Sequence, residues 1–251
     1  MKVLITGAAG GVGRALRSGL ADLDLRLTDR TPGSDILVGD LAAPGFARSL
    51  CEGVDAVVHL AADPDPGHGW EQLRGPNADL PVTVLDACAA AGVRRVVLAS
   101  SLHAVGGYRD QGDDPVPDGA LPFPCCVYGA TKAFVEALGR AYAQQWDMRV
   151  VCLRLGGVAA TPPALSWLPG WLSHGDLTRL VRAALTAEVG YGVFSGTSAN
   201  TPTVFGLDGT RAALGYAPVD DAAAYAATLP DDTPPDQDPR ARPRWGLLHR
   251  S

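Results

Sequence analysis

Lysine is nearly missing from this chain of 251 residues: Lys2 and Lys132 stand against nineteen arginines. Basic charge as a whole falls short, with 21 Lys and Arg against 27 Asp and Glu for a net charge of −6. A nucleic-acid phosphate backbone demands a basic stripe, so nucleic acid is not an expected partner. No apolar run approaches the roughly 20 residues that span a bilayer, and the first residues run straight into a strand pattern with no room for a signal peptide. The expectations are no membrane association and a cytoplasmic location. The five cysteines are odd in number and include adjacent Cys125 and Cys126. They offer no disulfide framework and suit a reducing compartment, each reading as a small buried apolar residue. No spacing of His, Cys and acids matches a metal centre, so no metal is expected.

The lysine that matters is Lys132, four residues after Tyr128 in Tyr128-Gly129-Ala130-Thr131-Lys132. In a chain this rich in arginine, a lysine there points to a task arginine cannot do. On a helix the spacing puts both side chains on one face, about 5–6 Å apart at Cβ. Holding a tyrosine ionised at pH 7 costs about 4 kcal/mol, and a cation about 4 Å away at an effective dielectric near 20 contributes about the same. Burial raises the phenol pKa again, so a second positive charge such as an oxidised nicotinamide ring would help. The bland alternative is a solvated Tyr and Lys on a helix surface.

The start of the chain argues against the bland alternative. An apolar run, Lys2-Val3-Leu4-Ile5-Thr6, leads into Gly7-Ala8-Ala9-Gly10-Gly11-Val12-Gly13 and then into a helical pattern. This is strand, glycine turn, helix: Gly7 for the tight turn, Gly10 for backbone approach to a pyrophosphate, Gly13 for close packing of helix on strand. The phosphates would sit on the helix N-terminus. A second strand ends in Asp29, 22 residues after Gly7, near the ~20 expected of a carboxylate on the adenosine ribose hydroxyls, which favours NAD over NADP. Arg30 follows and could instead receive a 2′-phosphate.

Strand and helix patterns alternate along the chain, which implies an α/β fold, a Rossmann-type doubly wound parallel sheet. Helices are expected over 44–52, over 70–91 with Pro76 and Pro81 kinking or dividing it, over 128–146 with the Tyr and Lys, and over about 176–188. Residues 108–126, rich in Asp, Gly and Pro, read as a loop over the site. Residues 1–160 are expected to bind the dinucleotide and 161–230 to form a small substrate-binding cap that is not an independent domain. Residues 231–251, rich in proline and charge, read as an extended arm.

TGxxGxxG together with Tyr-x-x-x-Lys resembles the extended short-chain dehydrogenase/reductase superfamily, the NAD-dependent epimerase/dehydratase family, over roughly residues 1–228. The resemblance implies cofactor contacts from Gly7, Ala9, Gly10, Gly11, Val12, Gly13, Asp29 and Arg30, and from Asp40 and Leu41 beside the adenine. It adds Leu60, Ala61 and Ala62 after strand four, Asn77 on the following helix, Ala99, Leu155, and the Tyr128 and Lys132 pair. Within that superfamily, Ser100-Ser101-Leu102-His103 with Gly106, then Trp171-Leu172-Ser173-His174-Gly175-Asp176, Ser198-Ala199-Asn200 and Leu214-Gly215-Tyr216-Ala217-Pro218, are similar to uronate dehydrogenases. Where those enzymes read substrate, this chain departs from them. Leu102 stands in place of an asparagine, Pro64 in place of a serine, and Ser166 in place of the arginine that holds the sugar carboxylate. An uncompensated carboxylate in a pocket is costly, so an unmodified uronate is not the expected substrate. Arg109, His103 and His174 are the cations that could replace the lost one.

The resemblance implies a mechanism. Tyr128 exchanges a proton with a substrate hydroxyl as hydride passes to or from nicotinamide. Lys132 lowers the tyrosine pKa and bonds the nicotinamide ribose, and Ser101 donates to the substrate oxygen, with Ser100 as the alternative. Ser101, Leu102, His103 and Ser166 are the expected substrate neighbours. His59 reads as a strand terminator. His174 and Asp176 read as an ordinary helix start rather than a metal pair, and Trp167 and Trp171 as packing residues. The leading expectation is an NAD-dependent dehydrogenase or reductase of a secondary alcohol or carbonyl in a sugar or polyhydroxylated compound. A nucleotide-sugar epimerase or dehydratase is the second reading, and a cofactor-sensing protein without catalysis the third. A homodimer through the two long helices is expected by analogy.

Overall fold

The computed structural model describes residues 1–112 and 114–230 of the chain. The arm expected over 231–251 lies outside the described residues. Seven parallel strands form one sheet: β1 Lys2–Thr6, β2 Asp24–Asp29, β3 Ile36–Val38, β4 Ala56–His59, β5 Arg95–Ser101, β6 Arg149–Leu155 and, skipping two short strands, β9 Tyr191–Gly196. Their order is β3-β2-β1-β4-β5-β6-β9. The short strands, β7 Gly157–Val158 and β8 Trp171–Leu172, pair with each other beyond the end of β6. The expected Rossmann-type doubly wound fold is thus the observed one.

The strands alternate side chains between two buried faces, as a sheet covered on both sides requires. Val3, Ile5, Val58, Val97 and Leu153 pack on one face with Leu16 of α1 (Gly11–Gly19) and Leu177 and Leu180 of α7 (His174–Thr186). Leu4, Val57, Val96, Leu98 and Val150 point the other way. They meet Leu50 of α2 (Phe46–Cys51), Val84 and Leu85 of α4 (Leu80–Ala91), and Val135 and Tyr142 of α6 (Val127–Gln145). Residues 161–230 contribute to this framework directly, because β9 extends the sheet beside β6 and α7 covers one face.

Two local features refine the sequence expectation. The 70–91 helix runs as α3 (Trp70–Arg74), a wide π turn over Gly75–Asp79 and α4, with Arg74, Gly75, Asp79 and Leu80 near helical dihedrals. Pro76 removes one donor from the ladder, and the chain widens rather than breaks. Within 108–126, residues up to Gln111 belong to a short helix, α5 (Gly106–Gln111), closed by Gly112 at φ +94°. The rest is loop. It is tied down by Val116 N–H donating to Val204 O at 2.8 Å, and by Asp118, which accepts from Ser195 N at 3.1 Å and Thr210 N at 2.6 Å.

One buried ion pair crosses from α6 to β6. Arg154 donates Nε and Nη2 to the two Glu136 oxygens at 2.8 Å each, and Nη1 to Ala120 O at 2.7 Å, with both charged side chains only 3% exposed. Removing one partner strands a charge. Arg154→Met is expected to lower unfolding free energy by about 3–5 kcal/mol, and adding Glu136→Leu to restore most of it. Urea denaturation of both variants checks this, and an unchanged midpoint for Arg154→Met contradicts it.

Candidate active site

The carboxyl ends of the central strands lie in one row. Thr6 of β1 is flanked by Thr28 of β2 and His59 of β4, His59 by Leu98 of β5, and Ser101 at the end of β5 by Leu155 of β6. Ligands of open parallel sheets bind outside this edge. Thr6 fastens the row to the next loop: its hydroxyl bonds His59 Nδ1 at 2.8 Å and accepts from the Leu60 and Ala61 N–H groups at 3.2 Å. Ala62 continues that half-buried loop.

The glycine turn is forced by close approach. Gly7 has φ +70°, and a Cβ on it would stand 2.7 Å from the Ala61 nitrogen, while one on Gly13 would stand 2.3 Å from Gly7 O. Gly10 opens α1 without a side-chain cap, and a Cβ on Gly11 would meet nothing within 4 Å. The first-turn N–H groups of α1 therefore face room for an anion. At the tip of β2 the Asp29 carboxylate accepts from Ala9 N and Thr31 N at 2.9 Å each, while Arg30 is exposed. A capless helix start, a pinned carboxylate and a glycine-lined approach are the parts a dinucleotide needs, and the residues fit one. Val12 packs partly on the core behind the turn. Asp40 is exposed and accepts from Ala42 N at 3.0 Å, and Leu41 turns its side chain into the core.

Asn77, in the π turn, acts as a clamp. Its Oδ1 accepts from Asp63 N at 2.7 Å, and its Nδ2 donates to Asp63 O at 2.9 Å and to Thr131 Oγ1 at 3.4 Å. The loop after β4 is thereby locked to α6, one residue from Lys132.

Tyr128 and Lys132 lie buried on the same face of α6, with Lys132 Nζ 5.5 Å from the phenol ring centroid. The ammonium donates to Ala99 O at 3.1 Å, and no carboxylate pairs with it among the described residues. Burial lowers its pKa to about 8. Burial also pushes the Tyr128 phenol up to about 12, against the pull of its hydrogen bond with Ser101 and with the Cys126 and Asp63 charges adding to the rise. The balance struck from sequence thus tips toward burial, and the phenol holds its proton at neutral pH.

Adjacent serines part company at the end of β5, since neighbouring strand residues face opposite ways. Ser101 accepts from His103 N at 3.2 Å and lies on the Tyr128 side, where its hydroxyl pulls the phenol pKa down. Ser100 donates to Glu136 Oε1 at 2.6 Å on the far side, which separates the two candidates. The His103 ring stands edge-on to Tyr128, centroids 5.5 Å apart at 81°.

The remaining expected substrate positions are less convergent. Leu102 buries its side chain with Val105, Val116, Val204 and Phe205 and offers no polar group. Ser166 is exposed on the 3-10 turn Leu165–Gly170, whose Trp167 ring lies against Gly157. Pro64 is exposed, Arg109 pairs with Asp114 at 3.2 Å, and His174 begins α7 beside a cleft of about 520 Å³ that also exposes Gly11 and Arg14. Ser173 caps α7 by accepting from Asp176 N at 2.9 Å, and Asp176 is buried holding Val219 N and Asp220 N, which makes them a helix start. Trp171 is core and Trp167 partly exposed.

Sequence reasoning missed several groups. Thr6 and Asp63 act through backbone contacts that no motif advertises. His59 is fully buried, its pKa pushed down to about 3 by burial and then by the Lys132 charge, and its Nε2 has no partner. A histidine in the last position of a four-residue apolar strand was its only signal. Cys125 and Cys126 converge on His103, with Cys126 capping α6 by accepting from Gly129 N at 3.4 Å. The Cys126 thiol is held well below its usual range by its bond to Cys125 and by His103 and the Gly129 N–H.

A family model described as NAD dependent epimerase/dehydratase matches residues 3–162. An NAD-dependent glucose-6-phosphate dehydrogenase of Haloferax volcanii is 35% identical over 89% of this chain and 95% of its own length. A uronate dehydrogenase of Pseudomonas putida is 34% identical over 91% and 87%. Among solved structures, a mutant uronate dehydrogenase from Agrobacterium tumefaciens complexed with NAD superposes with a TM-score of 0.83 at 28% identity, covering 95% of this chain and 91% of that one. No helix among the described residues is long and apolar enough to cross a membrane.

The buried ammonium has a measurable cost. A fall from 10.5 to about 8 amounts to roughly 3 kcal/mol at neutral pH, against about 1 kcal/mol from the bond to Ala99 O. Between about pH 8 and 10.5 the unfolded chain binds more protons than the folded one, so the parent gains stability as pH rises and the penalty fades. Lys132→Met is therefore expected to melt roughly 4–8 °C above the parent at pH 7, with the gain shrinking toward pH 9.5. Thermal melts at both pH values decide it, and a variant less stable than the parent at pH 7 contradicts it.

Proposed function

The chain belongs to the NAD-dependent epimerase/dehydratase family, and from that premise we propose an NAD-dependent sugar dehydrogenase in which Tyr128, Lys132 and Ser101 act on a secondary alcohol or its carbonyl. The observation that supports the assignment is that Tyr128 and Lys132 lie buried on one face of α6, the ammonium 5.5 Å from the phenol ring centroid, with Ser101 near enough to pull the phenol pKa down. When bound, NAD supplies the hydride acceptor. Gly7, Gly10, Gly11 and Gly13 leave room for its phosphates at α1, and Asp29 offers its carboxylate to the ribose hydroxyls, a choice that favours NAD over NADP. Ala9 through its N–H holds Asp29 in place. Leu60, Ala61, Ala62, Asn77, Ala99 and Leu155 border the same edge.

Tyr128 holds or moves the proton at its phenol oxygen, and Ser101 donates to the substrate oxygen. Lys132 stays protonated below about pH 8 and stabilises the phenolate as it forms. A phenol that rests protonated is ready as the acid in carbonyl reduction and must ionise to serve alcohol oxidation. Leu102, His103 and Ser166 would line the sugar, with the cap drawn from 161–230. Without an arginine at 166, the fit is to a sugar lacking the C6 carboxylate. Exposed Trp70 on α3 and Phe134 on α6 support pairing of two copies through these helices, and the −6 charge and reduced cysteines suit a cytoplasmic protein.

Three measurements test this reading. Tyr128→Phe is expected to cut single-turnover hydride transfer by about 10²–10⁴-fold; a near-parental rate removes Tyr128 from the chemistry. Because the phenol must lose its proton, kcat/KM for oxidation should climb with pH through the neutral and alkaline range while that for reduction stays level until the phenol itself titrates, so a pH-independent oxidation rate counts against the assignment. In a panel of neutral aldoses, aldose phosphates and uronates with NAD, absorbance at the NADH band should rise in step with turnover, which separates a dehydrogenase from an epimerase. Uronates should trail the best sugar by about tenfold or more, as expected when a bidentate charge partner is missing; a uronate in first place overturns that specificity.

A further inference from the structure

We propose that His103, Cys125 and Cys126 form a binding site for a thiophilic divalent cation of the zinc class where β5 hands over to α6. The three ligand atoms lie within 4.8 Å of one another. Cys125 Sγ is 3.4 Å and Cys126 Sγ 3.5 Å from His103 Nδ1, and the two sulfurs are 3.9 Å apart. Bonds of about 2.3 Å to sulfur and about 2.05 Å to nitrogen, set at tetrahedral angles, place sulfur and nitrogen about 3.5 Å apart and two sulfurs about 3.8 Å apart. All three edges agree with that triangle.

Hydrogen bonding gives each sulfur a partner, with Cys125 Sγ also 3.7 Å from His103 O, but it does not call for both sulfurs at one nitrogen. A ring nitrogen has one in-plane position, for one donor or one lone pair, so Nδ1 can serve only one of two sulfurs standing at nearly equal distance. A single cation serves both. The chain is also shaped to allow the convergence. A Cβ on Gly106 would fall 2.6 Å from Cys125 Sγ, and one on Gly129 would fall 2.2 Å from His103 O, so both glycines permit the approach. Ser101 Oγ accepts from His103 N, and Cys125 N donates to His103 O at 3.3 Å, which fixes the backbones that carry two of the ligands. Two thiolates and an imidazole form a borderline-soft set that prefers zinc or cadmium to magnesium or calcium, and the fourth position is left to water. A cation here pins the imidazole that stands edge-on to Tyr128. The site does not depend on the dehydrogenase reading.

The test uses the full chain, reduced and stripped with a chelator, titrated with cadmium while the ultraviolet thiolate-to-metal charge-transfer band is recorded, with zinc stoichiometry from equilibrium dialysis. One equivalent is expected to bind with the band present. Cys125→Ser/Cys126→Ser should lose both, although Cys51, Cys88 and Cys152 remain, and a serine at 126 can still accept from Gly129 N. His103→Gln should weaken cadmium by more than about tenfold, since even partners outside the coordination sphere cost about 10–100-fold. Absence of the band in the parent, its full retention in the double variant, or undiminished affinity in His103→Gln overturns the site. Should the double variant fail to fold, Cys126→Ser alone must weaken cadmium and dim the band, and parental binding by that variant overturns the proposal equally.

Discussion

An ammonium taken out of water without a carboxylate beside it is the constraint around which the pocket is arranged. On a helix, Lys132 and Glu136 stand four residues apart, a spacing at which the two would ordinarily pair. Here Arg154 takes both Glu136 oxygens and Ser100 donates to one of them. Glu136 is thereby spent on β6, and Lys132 keeps its charge without a carboxylate among the described residues, donating to the Ala99 carbonyl. The buried Glu136 and Arg154 pair, a weak source of stability by itself, thus has a second consequence: it keeps the positive charge beside Tyr128 available. The same arrangement sends Ser100 away from the pocket and leaves Ser101 to the phenol.

That charge would be of little use on a mobile frame, and two polar hubs hold the frame. Thr6 binds β1 to the loop after β4 through three contacts, and Asn77 binds the same loop to α6 through three more. Asn77 reaches that position because Pro76 interrupts the hydrogen-bond ladder and the helix widens into a π turn, a deviation that recurs at functional sites. The glycine turn closes the circle, with Gly7 at +70° pressed against Ala61. The turn after β1 and the loop after β4 are therefore anchored to their neighbours by hydroxyl and amide bonds and by close packing rather than by their own stiffness.

What the chain revealed before its fold was known follows from the range of the interactions involved. The β1, glycine turn and α1 unit and the Tyr128 and Lys132 helix were legible because each is a local pattern carrying its own geometry. β9 was not read as a strand: Tyr191–Gly196 contains two glycines and partly exposed positions, and it is a strand because β6 offers a partner. α5 begins with two glycines of poor helix propensity and is held by Gly107 N donating to Phe123 O at 2.8 Å. The cysteine and histidine cluster spans 23 positions and is assembled by the fold, so a search for ligand spacing passed over it. The tyrosine balance was legible only in part for a related reason: burial was expected to raise the phenol again, but how far desolvation outweighs the charge belongs to the packed state.

Leu102 shows how the substrate end differs from the cofactor end. Its side chain belongs to an apolar clasp with Val116, Val204 and Phe205, and beside that clasp Val116 pairs with Phe205 while Asp118 holds Ser195 and Thr210. The loop over the site is therefore fastened to the 195–210 segment by burial where a polar reader of substrate would otherwise stand. An asparagine in that place would bury an amide among hydrocarbon, at a cost of about 1–3 kcal/mol unless it found partners. Recognition of a charged sugar group from this position would require the clasp to be rebuilt rather than one residue exchanged. On the proposed reading, substrate choice in this chain is bound to the packing of a loop, whereas cofactor choice rests on glycine geometry and one pinned carboxylate.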